Sequence, residues 1–250
     1  MAGLPLGKLG ADHLTGLLGK YGSRDPRVLV GPKLGEDAAV LEMGERRLVA
    51  KTDPITFATD EIGWYAVHIN ANDVATCGSA PRWFQASVLL PEAATTPDLV
   101  ERTFAQMASA GEALGAGLVG GHTEVTDGLA RPIVVGLMLG EVDRNRLVTT
   151  SGAQVGDAVV ITKGIAVEGA AVLAREMRAE LRQRGVPDET LDRASDFLQA
   201  PGISVVPEAM IAAEIGEVHP SSEGLQVLHD GRTTPLHWSE QDELARLLTP

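Results

Sequence analysis

Apolar positions along the chain follow two rhythms. Short runs rich in Val, Leu and Ala, bounded by glycine or proline, predict strands over 27–30, 38–42, 48–52, 84–90 and 133–142. Three- and four-residue spacings predict helices between them. Over 97–114, Val100, Phe104, Met107, Gly111 and Leu114 share one face. Thr96 offers an N-cap there, Pro97 sits at the first helical position, and Gly115 and Gly117 end the element. Asp60 is expected to cap a second helix over 61–77, with Gly78 and Pro81 as its stop signals. Leu118 and Val119 are expected to form a short strand that runs into a turn at Gly120-Gly121. Strands and helices in alternation predict a mixed α/β or α+β class.

A polar stretch over 143–156 marks a boundary near residue 150, dividing the chain into 1–150 and 151–250. Beyond it, 158–162 reads as a strand. Val167, Ala170, Ala171, Ala174, Met177 and Leu181 read as the buried face of one helix, with the charges of 175–184 on its solvated side. Helical patterns follow over 188–199 and 206–215. After Gly216 the signals weaken to 225–229 and 242–248.

Composition narrows the function. The apolar fraction is 44% and the charged fraction 22%, which a folded core requires. The formal charge of −13 argues against a general nucleic-acid binder. Cys77 is the one cysteine, so neither an intrachain disulfide nor a cysteine-rich zinc site can form. No run approaches the ~20 apolar residues of a membrane span, and no leader is evident, so a cytoplasmic protein is expected.

Four polar clusters lie at the ends or within predicted elements, in a glycine setting. Gly35-Glu36-Asp37 delivers two carboxylates ahead of a buried strand. Lys51-Thr52-Asp53-Pro54 closes another strand. Asn70, Asn72 and Asp73 interrupt an apolar helix, with Asn70 and Asp73 on one face. Gly120-Gly121-His122-Thr123-Glu124 leaves backbone N–H groups free to approach a phosphate. Hard oxygen ligands spread over several segments suit Mg²⁺, which prefers carboxylates plus phosphate oxygens and water. Taken singly, each aspartate also fits a turn or a solvated surface. His68 reads as a satisfied core histidine, Trp64 and Tyr65 as packing residues, and Cys77 as a small buried side chain.

In their order, G-E-D-A-A-V, T-D-P, N-A-N-D-V-A-T-C-G-S-A-P and G-G-H-T-E-V-T resemble the AIR synthase (PurM-like) superfamily. Within it, the resemblance is nearest to HypE-related, AIR synthase-like proteins, and T-K-G-I-A-V-E-G at 162–169 is similar to their second-domain segment. The resemblance implies a PurM-like N-terminal domain, whose strands form a β-barrel with a second copy, followed by a second α/β domain. It implies ATP and Mg²⁺ as cofactors. Asp37, Asp53 and Asp73 match the family's metal-binding acids, and Gly120, Gly121 and Thr123 its phosphate turn. Gly35 and Asn72 are expected beside the nucleotide. His122 stands where the family has a metal-binding Asp, so three outcomes stay open: Glu124 substitutes as the metal ligand, His122 itself serves, or the site holds fewer ions. The second domain is expected to be truncated, with His219–Gly224 as a remnant or part of the tail.

The implied activity is ATP-dependent phosphoryl transfer to a substrate oxygen in a homodimer, with the acceptor, small or protein-borne, left open. Two alternatives stand beside it: a nucleotide-binding dimer without turnover, and a thiamine-monophosphate kinase-like activity. The final Leu247-Leu248-Thr249-Pro250 holds no thiol, so nitrile synthesis on a tail cysteine is not expected.

Overall fold

A computed structural model describes residues 3–155, 161–212, 226–229 and 232–235. An N-terminal helix, α1 (Ala11–Tyr21), precedes the sheet. The strands β1 (Val28–Val30), β2 (Ala39–Met43), β3 (Arg46–Ile55), β4 (Ala80–Pro91), β5 (Gly117–Thr126) and β6 (Ile133–Asp143) form one six-stranded sheet. Their order is β1-β2-β3-β6-β4-β5, antiparallel throughout except for the β4–β5 pair. The helices α2 (Ile62–Thr76) and α3 (Pro97–Leu114) belong to the crossovers that lead into β4 and β5.

One face of the sheet is the core. Along β6, Val134, Gly136, Met138, Gly140 and Val142 are buried, and Ile133, Val135, Leu137, Leu139 and Glu141 alternate with them half-buried. Cross-strand partners share a face. Val49, Lys51, Asp53 and Ile55 of β3 therefore lie on the same side as the buried residues of β6. The helix α2 covers this side and is buried almost all round, from Ile62 to Ala75. Such a helix packs on several neighbours at once, here β3, β6, α3 and a helix of the second half.

That second half holds α4 (Val167–Glu176), α5 (Arg178–Gln183), α6 (Asp188–Asp196) and α7 (Val206–Ala212). A short hairpin pairs β7 (Gln226–His229) with β8 (Arg232–Pro235). Two polar clamps tie it to the first half. Asn72 donates to the Ile203 carbonyl at 2.9 Å and accepts from the Val205 N–H at 2.8 Å. Glu176 accepts from the N–H groups of Thr59 and Asp60 at 2.6 and 2.9 Å.

Several expectations need correction. Asp60 does not cap α2. The N-cap is Glu61, in the left-handed region with φ 58°, and Asp60 instead pairs with Arg175 at 2.6 Å. The single helix expected over 167–181 breaks at Met177 into α4 and α5. Arg175 is not on a solvated face, because it bridges Asp60 and the Ser195 carbonyl. Pro81 lies inside β4 rather than stopping a helix before it. Phe104, expected inward on α3, is exposed. Gly120-Gly121 is not a turn: β5 runs through it in register with Gln85 and Ala86. By contrast Thr96 caps α3 as expected, accepting from the Leu99 N–H at 3.2 Å. Most of the strand expected over 158–162, the segment His219–Gly224 and the pattern over 242–248 lie outside the described residues.

Candidate functional site

Asn70 organises the site from the middle of α2. Its Oδ1 accepts from the Asp53 N–H at 2.7 Å, and its Nδ2 donates to the carbonyls of Ala66 at 2.8 Å and Asp53 at 3.3 Å. A buried amide with both ends paired fixes its partner segment, since leaving either end open is costly. The close approach needs Gly136 on β6, where a Cβ would collide with the Asn70 amide and Phe84. Asn70 thus pins β3 at Asp53 against the helix.

Lys51 lies two residues before Asp53 on the same face of β3, and Asp73 lies one turn beyond Asn70 on α2. The three meet. Lys51 Nζ lies 2.7 Å from Asp73 Oδ2 and 3.2 Å from Asp53 Oδ2. The Lys51 side chain is only 12% exposed. Burial alone would lower its pKa, but the pairs with Asp73 and Asp53 outweigh burial and raise it. Burial raises the pKa of Asp73; Lys51 opposes that shift, while Asp37 and Asp53 add to it. Burial likewise pushes the Cys77 thiol up to about 11, with Asp73, Glu36 and Asp37 adding to the shift. The loop bearing Glu36 and Asp37 therefore faces the C-terminal half of α2. Gly35 turns that loop with φ 88°, and the Thr150 hydroxyl donates to Glu36.

The structure brings Asp53 and Asp73 together, with Asp37 in their electrostatic neighbourhood. It places the other expected residues apart. Asn72 spends both amide groups on the clamp to Ile203 and Val205. Gly120, Gly121, Thr123 and Glu124 lie on β5, and Gly121 shares a row with Ala86, Gly136 and Asp53. Three strand spacings separate that row's ends, about 14 Å. Gly120, Gly121 and Thr123 line a hollow of about 340 Å³ floored by Phe104, Met107 and Leu118. Glu124 faces away from the helices and accepts from or pairs with His122 Nε2 at 2.9 Å. Among the described residues no three His, Cys, Asp or Glu side chains form a metal cluster. A larger cavity of about 630 Å³, between Phe57, Leu99, Arg131, Val172 and Met177, lies apart from these acids.

Lys51 is the residue sequence reasoning missed. Its signal was present: a lysine alternating with Val49, Asp53 and Ile55 occupies an inward position, where a charge needs a partner. His68 is in the core, only 3% exposed and packed at a tilt against the Trp64 ring, but it is not satisfied. Neither ring nitrogen has a hydrogen-bond partner among the described residues.

Comparisons with known proteins show what the chain is similar to. Residues 35–142 match the model of AIR synthase related protein, N-terminal domain. The chain is 32% identical over 188 residues to a selenide, water dikinase of Geobacter metallireducens, covering 72% of this chain and 51% of that protein. It is 31% identical over 157 residues to the carbamoyl dehydratase HypE of Cupriavidus necator, covering 58% and 44%. Among solved structures it resembles AaThiL complexed with AMPPCP and TMP, with TM-score 0.65 and 21% identity, over 86% of this chain and 66% of that one. The chain thus spans about half the length of the relatives it matches in sequence. The motif order, the six-stranded sheet behind it and these relatives converge on residues 35–142, which match an AIR synthase-related N-terminal domain.

Proposed function

We propose that the chain binds ATP with Mg²⁺ at the Asp53–Asp73 cluster and activates a substrate oxygen by phosphoryl transfer. One observation supports this most: carboxylates from β3 and α2 converge on a single cationic centre, with the Asp53 backbone pinned to α2 by Asn70. The donor set fits the metal. Mg²⁺ takes one or two carboxylates and fills its remaining positions with phosphate oxygens and water, so no all-protein cage is needed. When bound, the ion supplies charge neutralisation on the phosphates. Asp53 and Asp73 would hold it, with Asp37 beside them. Asn70 keeps the Asp53 backbone in place, and positioning of this kind is most of what phosphoryl transfer asks of a protein.

The relatives support a nucleotide-dependent activity: one is a dikinase and one a dehydratase by name. Gly35, Gly120, Gly121, Thr123 and Glu124 belong to this reading as nucleotide or metal contacts made outside the Asp53–Asp73 centre. So do the division of the chain near residue 150 and a homodimer built on the strands. The acceptor is left unassigned.

Calorimetric titration tests the site. Asp73→Asn is expected to lower Mg-ATP affinity tenfold or more, about 1.4 kcal/mol. Unchanged affinity in Asp37→Asn, Asp53→Asn and Asp73→Asn alike would refute it. Release of ADP by the purified chain with Mg²⁺, and none without it, would separate turnover from mere binding.

A further inference from the structure

Lys51 has an unusual position for a lysine in a proposed metal site. Its Nζ sits between Asp53 and Asp73, at 3.2 and 2.7 Å. It thus occupies the meeting point of the two carboxylates, which is where a divalent ion held by both would lie. An ammonium and a metal ion cannot share that point, because like charges at contact distance repel strongly wherever water is scarce. Nor can Lys51 simply withdraw. Its side chain is 88% out of contact with solvent, and a buried ammonium stripped of its partners is costly.

We propose that Lys51 is an internal counter-ion that keeps a divalent metal out of the Asp53–Asp73 pair until a polyphosphate arrives. This rests on the reading of Asp53 and Asp73 as metal ligands. In the free chain the ammonium neutralises the two acids. When the nucleotide binds, Lys51 gives up the carboxylates and takes a phosphate oxygen, as lysines commonly do. The carboxylates are then open to the metal. Metal and nucleotide are thereby coupled: each binds weakly alone and each strengthens the other by the same factor. The arrangement also prevents the unproductive binding of metal without nucleotide.

The coupling gives opposite signs for one substitution. Lys51→Met in the full chain should raise the affinity for Mn²⁺ alone, read by electron paramagnetic resonance, tenfold or more. The same variant should bind ATP at saturating Mg²⁺ tenfold or more weakly. Equal or weaker Mn²⁺ binding by Lys51→Met would overturn the counter-ion role and leave the metal site standing. No Mn²⁺ binding by either protein would overturn both. Because the variant leaves two carboxylates facing each other, a second measurement uses the unaltered chain. Acetylation of Lys51 by acetic anhydride, mapped by mass spectrometry, should change little with millimolar Mg²⁺ or ATP alone. With both present the Lys51 signal should shift several-fold, as Nζ changes partners. An acetylation level that stays the same with Mg²⁺ and ATP together would overturn the exchange.

Discussion

Asn70 and His68, two residues apart on α2, show how differently one buried helix treats its polar side chains. Asn70 has partners for both ends of its amide. His68 has none among the described residues, and burial, with a smaller contribution from Lys163, lowers its pKa to about 4. The unfolded chain holds His68 at its ordinary value near 6.5. Between those values the unfolded state binds the extra proton, so stability is full above pH 6.5 and falls as the pH drops toward 4. The loss should reach about 3 kcal/mol. Urea unfolding at pH 7, 5.5 and 4.5 should show it in the native chain, and His68→Leu should be flatter over the same range. Parallel curves would mean that His68 does not titrate between the two states. The presence of a histidine in an apolar helix was legible in the sequence. That it would be left unsatisfied was not, because its surroundings come from segments nearly 100 residues away, such as the one bearing Lys163.

At the scale of elements, α2 owes its place to small residues. Gly63 faces α3, where a Cβ would strike the Thr103 carbonyl and come within 2.9 Å of Gln106 Cβ. Ala is the better helix former by about 1 kcal/mol, but the clash is with backbone and cannot be relieved by a rotamer change. Gly63→Ala is therefore expected to cost about 2 kcal/mol net, in the range of overpacked cores. Thermal unfolding should show a fall of several degrees for a chain of this length. An equal or higher Tm would show that α3 yields easily. The element most misread from sequence is β5. Its glycine pair looks like a turn by composition, yet Ala86 on β4 continues the parallel ladder through Gly121, whose φ of 149° a side chain would resist. Glycine signals permission for unusual backbone, and only the neighbouring strand determines whether a turn or an extended segment uses it.

At the scale of the molecule, the sheet has one covered face and one open face. Ile133, Val135, Leu137 and Leu139 line the open face half-buried, and Trp83 joins them at 38% exposure. On the helix side, the edge strand β5 leaves Leu118 and Val125 exposed. An apolar sheet face with an open edge favours association. We expect light scattering to give twice the 26.3 kDa chain mass at micromolar concentration. Leu137→Glu should return the monomer, because it places a charge at the centre of that face. A monomer mass for the unaltered chain would count against the dimer. No helix among the described residues is long and apolar enough to cross a membrane.

What the sequence by itself determined is what short-range rhythm can encode. Short apolar runs bounded by glycine or proline marked β3 and β6, three-four spacing and a Thr-Pro start marked α3, and glycine stops marked the ends of α2 and α3. The acids Asp37, Asp53 and Asp73 stood out because each breaks an apolar pattern at or near the end of an element. Tertiary structure decided which of them meet. Asp53 and Asp73 are brought together by Asn70 acting across 17 residues, while Asn72, one position from Asp73, turns toward Ile203 and Val205 instead. Helical geometry rotates neighbours by about 100°, so adjacent polar residues serve different partners. Lys51 became part of the site only when β3 paired with β6, across more than 80 residues, and presented its inward face to α2. Strand order and partner choice depend on non-local packing, which no local window of sequence contains.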